Sequence, residues 1–201
     1  MEVDNFPESF DPTRCVLFLG AGFSANATNG WPNGKYQNPP VGEKLNQAMK
    51  EMAGIPLDES SEFTDTAGYI LSKKLDLFGL LEKLYTVKAI TSDQRMALSL
   101  PWWRIYSTNY DNSVSVFKST QGIDISSNVF DLTDDPPKQL RKGAVIHLHG
   151  SIAKCDSTNL QKSLVLTRRS YVEQRVKKSS WWDWFDRDVA LLHKSREGFI
   201  S

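Results

Sequence analysis

Apolar positions change their period along the chain, and each change marks an element. Cys15-Val-Leu-Phe-Leu19 is a continuous apolar run stopped by Gly20, which suits a strand buried on both faces of a parallel sheet. From Asn26 to Pro40 the chain holds Gly30, Pro32, Gly34, Pro39 and Pro40 among asparagines; long loops of this kind in compact domains are often functional. Val41, Leu45, Ala48, Met49 and Met52 then recur at helical spacing, with Gly54 placed to end the helix. The pattern predicts helices over Thr64–Lys74 and Leu77–Val87, and a short one over Asp93–Leu100, capped by Ser92 and stopped before Pro101. Arg104–Tyr106, Ile123–Ile125, Ala144–His149 and Ser163–Leu166 read as further strands, and a helix begins near Ser170. Trp182, Phe185, Val189 and Leu192 give the last long helix an apolar face. Strands alternating with helices predict one α/β domain over residues 1–201, a Rossmann-like doubly wound parallel sheet with helices on both faces. In that architecture ligands bind beyond the carboxyl ends of the strands.

Composition narrows the partners. Lys and Arg total 24, as do Asp and Glu, so no global field draws in nucleic acid or an anionic membrane. Contact with nucleic acid would need a partner or the basic stretch Arg168, Arg169, Arg175, Lys177 and Lys178, whose ordinary reading is a solvated helix face. The N-terminus carries Glu2, Asp4 and Glu8 rather than a basic, then apolar, signal, and the run Cys15–Phe23 is too short to span a bilayer. With only Cys15 and Cys155 there is no disulfide framework, so a cytoplasmic protein without membrane contact is expected. Two cysteines cannot build a four-cysteine zinc module. His147 and His149 lack an obvious third ligand, so no metal is expected.

Three strand ends carry unusual chemistry. Gly20-Ala-Gly-Phe-Ser24 follows the first strand, and Ala25 completes G-x-G-x-x-A. Its glycines allow a tight turn and close backbone approach to a pyrophosphate, although a strand exit with no ligand reads the same way. A P-loop fails, because Gly30 to Gly34 encloses three residues and Tyr36 follows Lys35. A dehydrogenase fold fares poorly too, since the acidic residue near the required spacing, Glu43, sits at a helix start. Ser107-Thr-Asn-Tyr-Asp111 and His147-Leu-His-Gly-Ser151 close two other strands. Asn109 and Asp111 suit a helix cap or turn as well as a site, and His147 suits packing.

Together and in this order, Gly-Ala-Gly-x-Ser, Thr-Asn-x-Asp and His-Gly-Ser resemble the sirtuin superfamily. The likeness is closest to the NAD-cleaving sirtuin-like domains of prokaryotic anti-phage defence, and Leu164-Val-Leu-Thr-x-x-x-Tyr171 and Pro40-Val-Gly-Glu-Lys-Leu45 share that character. The resemblance implies that Gly20, Ala21, Gly22 and Ser24 hold the pyrophosphate and neighbouring ribose of NAD, with Phe23, Thr108 and Gly150 in the same binding set. It implies that Asn109 positions water or the ribose at the anomeric carbon, that Asp111 fixes Asn109 or a ribose hydroxyl, and that His149 is the general base. Nicotinamide is a good leaving group, so held polar groups and a titrating histidine suffice, without a metal.

Two features separate this chain from protein-deacylating sirtuins. Only Cys155 follows the His-Gly motif, and Gly30-Trp-Pro-Asn-Gly-Lys35 replaces Gly-Ile-Pro-Asp-Phe-Arg. Hydrolysis of NAD to nicotinamide and ADP-ribose is therefore expected ahead of deacylation, and a catalytically silent nucleotide-binding or assembly module is the third reading. The resemblance also leads one to expect a further strand beyond Ser201, so the C-terminus reads as a fragment, a divergent end, or one completed by a partner. By the same analogy, a homo-oligomer or a protein partner is expected to control the activity. Trp181, Trp182 and Trp184 read as core or interface material, and their placement on both sides of one helix also suits a buried subunit contact.

Overall fold

The computed structural model describes residues 10–31, 35–57, 60–123, 128–177 and 180–197. Four parallel strands form the main sheet: β1 (Val16–Leu19), β4 (Arg104–Ser107), β6 (Ala144–His147) and β5 (Val129–Asp131), side by side in that order. A two-stranded antiparallel ribbon, β2 (Thr28–Asn29) with β3 (Val87–Ala89), lies apart from it. Strand exits coincide at one edge, because Leu19 is level with Ser107 and Ser107 with His147.

Both faces of the sheet are covered. Leu19, Ile105, Val129 and Val145 point to one side, against Leu98 of α4 (Ser92–Ser99) and Val114 and Phe117 of α5 (Ser113–Thr120). Tyr106, Ala144 and Ile146 point to the other, against Trp181, Trp182, Trp184 and Phe185 of α8 (Ser180–Glu197). This alternation is the period-two signature of a strand covered on both sides. The chain thus has a Rossmann-like α/β fold. A third cluster is built by α1 (Glu43–Ala53), α2 (Phe63–Ser72), α3 (Leu77–Tyr85) and the segment running from α6 (Leu160–Ser163) to Leu166, which leads into α7 (Arg168–Lys177).

Local chemistry explains the helix ends. Gly54 closes α1 with φ +68° and returns its N–H to Glu51 and Lys50. The cap of α4 is Thr91, not Ser92: the Thr91 hydroxyl accepts from Gln94 N while the Gln94 amide accepts from Thr91 N. Helix α8 is fastened through Asp188, which accepts from the Tyr106 hydroxyl (2.8 Å) and Trp103 Nε1 (3.1 Å) and faces Arg104 Nε at 3.7 Å.

Three other expectations are corrected. β1 is an edge strand among the described residues and starts at Val16, with Phe18 47% exposed, so only β4 and β6 are buried along their whole length. Ser163–Leu166 is not a strand: Ser163 ends α6, and Leu164–Leu166 is extended but bonded to loops. Val87 begins a strand rather than ending α3. Helix α5 and the β2–β3 ribbon are additions to the pattern. The expected strand Ile123–Ile125 falls largely on 124–127, outside the described residues. Arg168 and Arg169 are committed to ion pairs, with Asp65 and Glu62 and with Glu173.

Candidate active site

Because β1, β4 and β6 are neighbours, their three exits meet. Ala21, Ser24, Thr108, Asn109, Asp111 and His149 line one cavity of about 210 Å³, together with Pro39, Pro40, Phe63, Tyr85, Tyr110 and Tyr171. Residues up to Asp111 come from the sheet edge, and Pro39, Pro40 and Phe63 from the helical side. The long loop after Asn26 therefore ends in the cavity wall, where Pro40 O accepts from the Tyr85 hydroxyl (2.8 Å).

Asn109 is the fixed point. It is 7% exposed, and its Nδ2 donates to Gly20 O (2.9 Å) and Ser24 Oγ (3.2 Å). Gly20 O can only accept, so the amide cannot be turned over without setting two oxygens against each other. Proton directions behind it are also set. Asp111 Oδ1 accepts from Ser113 N (2.9 Å) and from the Ser113 hydroxyl, so Ser24 Oγ donates to Ser113 Oγ (3.2 Å). Asp111 thus reaches Asn109 through two hydroxyls rather than directly. The Asn109 carboxamide oxygen is left buried at the cavity wall without a hydrogen-bond partner. A buried acceptor in that state costs about 1–3 kcal/mol.

His149 is half-buried, and burial pushes its imidazole down to about 4, so the ring is neutral with a free lone pair at pH 7. Its backbone carbonyl accepts from Val165 N (3.0 Å). His147 lies behind the site, 1% exposed, with Nδ1 donating to Asn109 O (3.1 Å). Burial lowers its pKa also, against the pull of that carbonyl and of Asp111 and Asp131.

Gly20, Gly22, Phe23 and Gly150, assigned to the binding set from sequence, do not line the cavity. Gly20 contributes its carbonyl to Asn109, and Phe23 packs with the α4–α5 side of the core. Gly150 is structural: its φ is +86°, and a Cβ there would meet Ser163 O at 1.7 Å. Sequence reasoning assigned no role to Tyr85, Tyr110, Tyr171 or Phe63. Tyr110 and Tyr171 did stand inside the quoted motifs, and that was the signal available. Among the described residues no three His, Cys, Asp or Glu side chains gather as a metal site.

Residues 104–195, from the start of β4 into α8, match the family model of the SIR2-like domain. Over these residues, a little under half of its length, the chain is similar to sirtuin-like domains. This family consists of NAD-dependent enzymes, and the match includes Asn109, Asp111, His147 and His149. No curated protein matches the chain. Among the described residues no helix is long and apolar enough to cross a membrane.

Proposed function

We propose that this protein hydrolyses NAD at its nicotinamide–ribose bond, giving nicotinamide, ADP-ribose and a proton. The observation that carries the reading is the buried, unpaired carboxamide oxygen of Asn109 in the cavity wall. Native folds satisfy most such atoms, and an unpaired acceptor on a cavity-lining residue is one that a bound molecule can partner. Held by Gly20 and Ser24, the amide is fixed in direction, and a small shift of the groups that cover its oxygen lets it accept a hydrogen bond from a ribose hydroxyl or from the attacking water.

The rest of the site fits the same substrate. At about 210 Å³ the cavity is smaller than the roughly 300–1,000 Å³ typical of ligand pockets. It suits the nicotinamide–ribose end alone, while Ala21 and Ser24 open it onto the glycine loop. Gly20 and Gly22 have neither a positive φ nor any atom within 4 Å of where a Cβ would stand, so the fold itself does not require glycine there. A pyrophosphate lying against the backbone would require it. His149, neutral at pH 7, takes the proton released as water adds to the ribose. The sequence likeness to defence NADases supports a role in anti-phage defence in which an oligomer or a protein partner holds the activity in check.

Incubating the protein with NAD and quantifying nicotinamide and ADP-ribose tests the reading. Turnover should fall at least about 100-fold in both Asn109→Ala and His149→Ala. Turnover that persists in both folded variants would refute it, as would the failure of NAD to bind the parent protein in a calorimeter.

A further inference from the structure

A general base has to be aimed, and in most sites the second imidazole nitrogen is held by a carboxylate or a carbonyl. Among the described residues no side chain or backbone group hydrogen-bonds the imidazole of His149. Its ring instead meets the ring of Tyr171 edge to face, with centroids 5.4 Å apart and planes at 81°. Resting on the reading of the site as NAD-cleaving, we propose that Tyr171 is the positioning residue of the base, orienting His149 through ring contact in place of a hydrogen bond.

The backbone that carries His149 is itself pinned. The Tyr110 hydroxyl donates to Val165 O (2.6 Å), and Val165 N donates to His149 O (3.0 Å). Tyr110 thus fixes the backbone of the histidine by way of Val165. Tyr110 follows Asn109 directly in sequence, so this link joins the two proposed reaction groups. A second ring, Phe63, meets Tyr171 with centroids 6.2 Å apart and planes at 80°. Tyr171 packs on both Phe63 and His149, and aromatic pairs of this kind stabilise beyond their buried area.

This arrangement separates the ring from the hydroxyl. In Tyr171→Phe the ring contact stays, and kcat for NAD cleavage should remain within about threefold of the parent. In Tyr171→Leu the imidazole is free to rotate and water reaches it. There kcat should fall at least about 30-fold with KM little changed. NMR titration of the histidine ring protons, assigned with His149→Asn, gives a readout that needs no turnover. His149 should titrate near 4 in the parent and in Tyr171→Phe, and should move toward 6.5 with altered ring shifts in Tyr171→Leu. An unchanged titration and unchanged kcat in Tyr171→Leu would overturn the proposal. An equal loss in Tyr171→Phe would do so too, because it would place the function in the hydroxyl. If NAD cleavage were absent from every protein, the titration alone would still decide whether Tyr171 orients His149.

Discussion

Replacing Asn109 with alanine should leave the fold nearly as stable as before while removing the activity, and the structure lets both sides be weighed. The substitution deletes two hydrogen bonds, to Gly20 O and Ser24 Oγ. At about 1 kcal/mol each, that is a loss of about 2 kcal/mol. Neither partner is stranded, since Gly20 is exposed to water and Ser24 keeps its bond to Ser113. Against the loss stands the removal of a buried acceptor that no group satisfies, which relieves about 1–3 kcal/mol. The carboxamide already borders a cavity, so little packing is lost. The net should lie within about 1.5 kcal/mol of zero, or roughly 5 °C in Tm for a chain of this size. Thermal and urea denaturation of parent and Asn109→Ala, run beside nicotinamide release, is the assay. A variant destabilised by more than about 3 kcal/mol would show that Asn109 serves the fold and that its unpaired oxygen does not mark a site held ready for substrate.

Three further outcomes are expected. His149, held near 4 when folded against 6.5 when free, contributes stability that is complete above pH 6.5 and declines by about 3 kcal/mol as pH falls to about 4; urea melts across that range should show the decline, and His149→Asn should remove most of it. Gly150→Ala combines left-handed strain with a Cβ only 1.7 Å from Ser163 O, so it should lower Tm by about 10 °C. Gly122→Ala, at φ +67° with open space around it, is the control and should cost only about 1 kcal/mol. Asp188→Ala leaves Arg104 buried without a carboxylate and should cost about 3–5 kcal/mol by chemical denaturation. Replacing Arg104 by methionine as well should restore a large part of that loss.

The site was legible in the sequence because its residues sit on strand exits, where glycines, asparagine and histidine interrupt apolar runs. A parallel sheet brings such exits together whatever lies between them. What stayed hidden depended on tertiary context. Helix α5 opens Ser113-Val-Ser-Val116, a poor helix former by intrinsic preference, and it is held by Asp111 at its start and by burial of Val114 and Phe117. Leu164-Val-Leu166 has the apolar character of a buried strand and is buried, yet its backbone bonds go to His149 and Tyr110 instead of a ladder. Phe18 sits in an apolar run but on an edge strand, and no local pattern separates edge from centre. The aromatic side of the cavity came from α2, α3 and α7, and its convergence on His149 is a property of packing alone.

The Asp188 anchor bears on the order in which the molecule can be assembled during synthesis. Tyr106 and Trp103 leave the ribosome 82 and 85 residues ahead of the carboxylate that both of them bond. Throughout that interval Arg104, at the head of the strand leading to Asn109, has no countercharge in its final position. Closing so distant a contact requires a large loop entropy to be overcome before any return, which makes it a late event in folding. Nascent chains lacking α8 should therefore hold the strand exits without a rigid sheet beneath them, and competence to cleave substrate should arise only once the helix has docked.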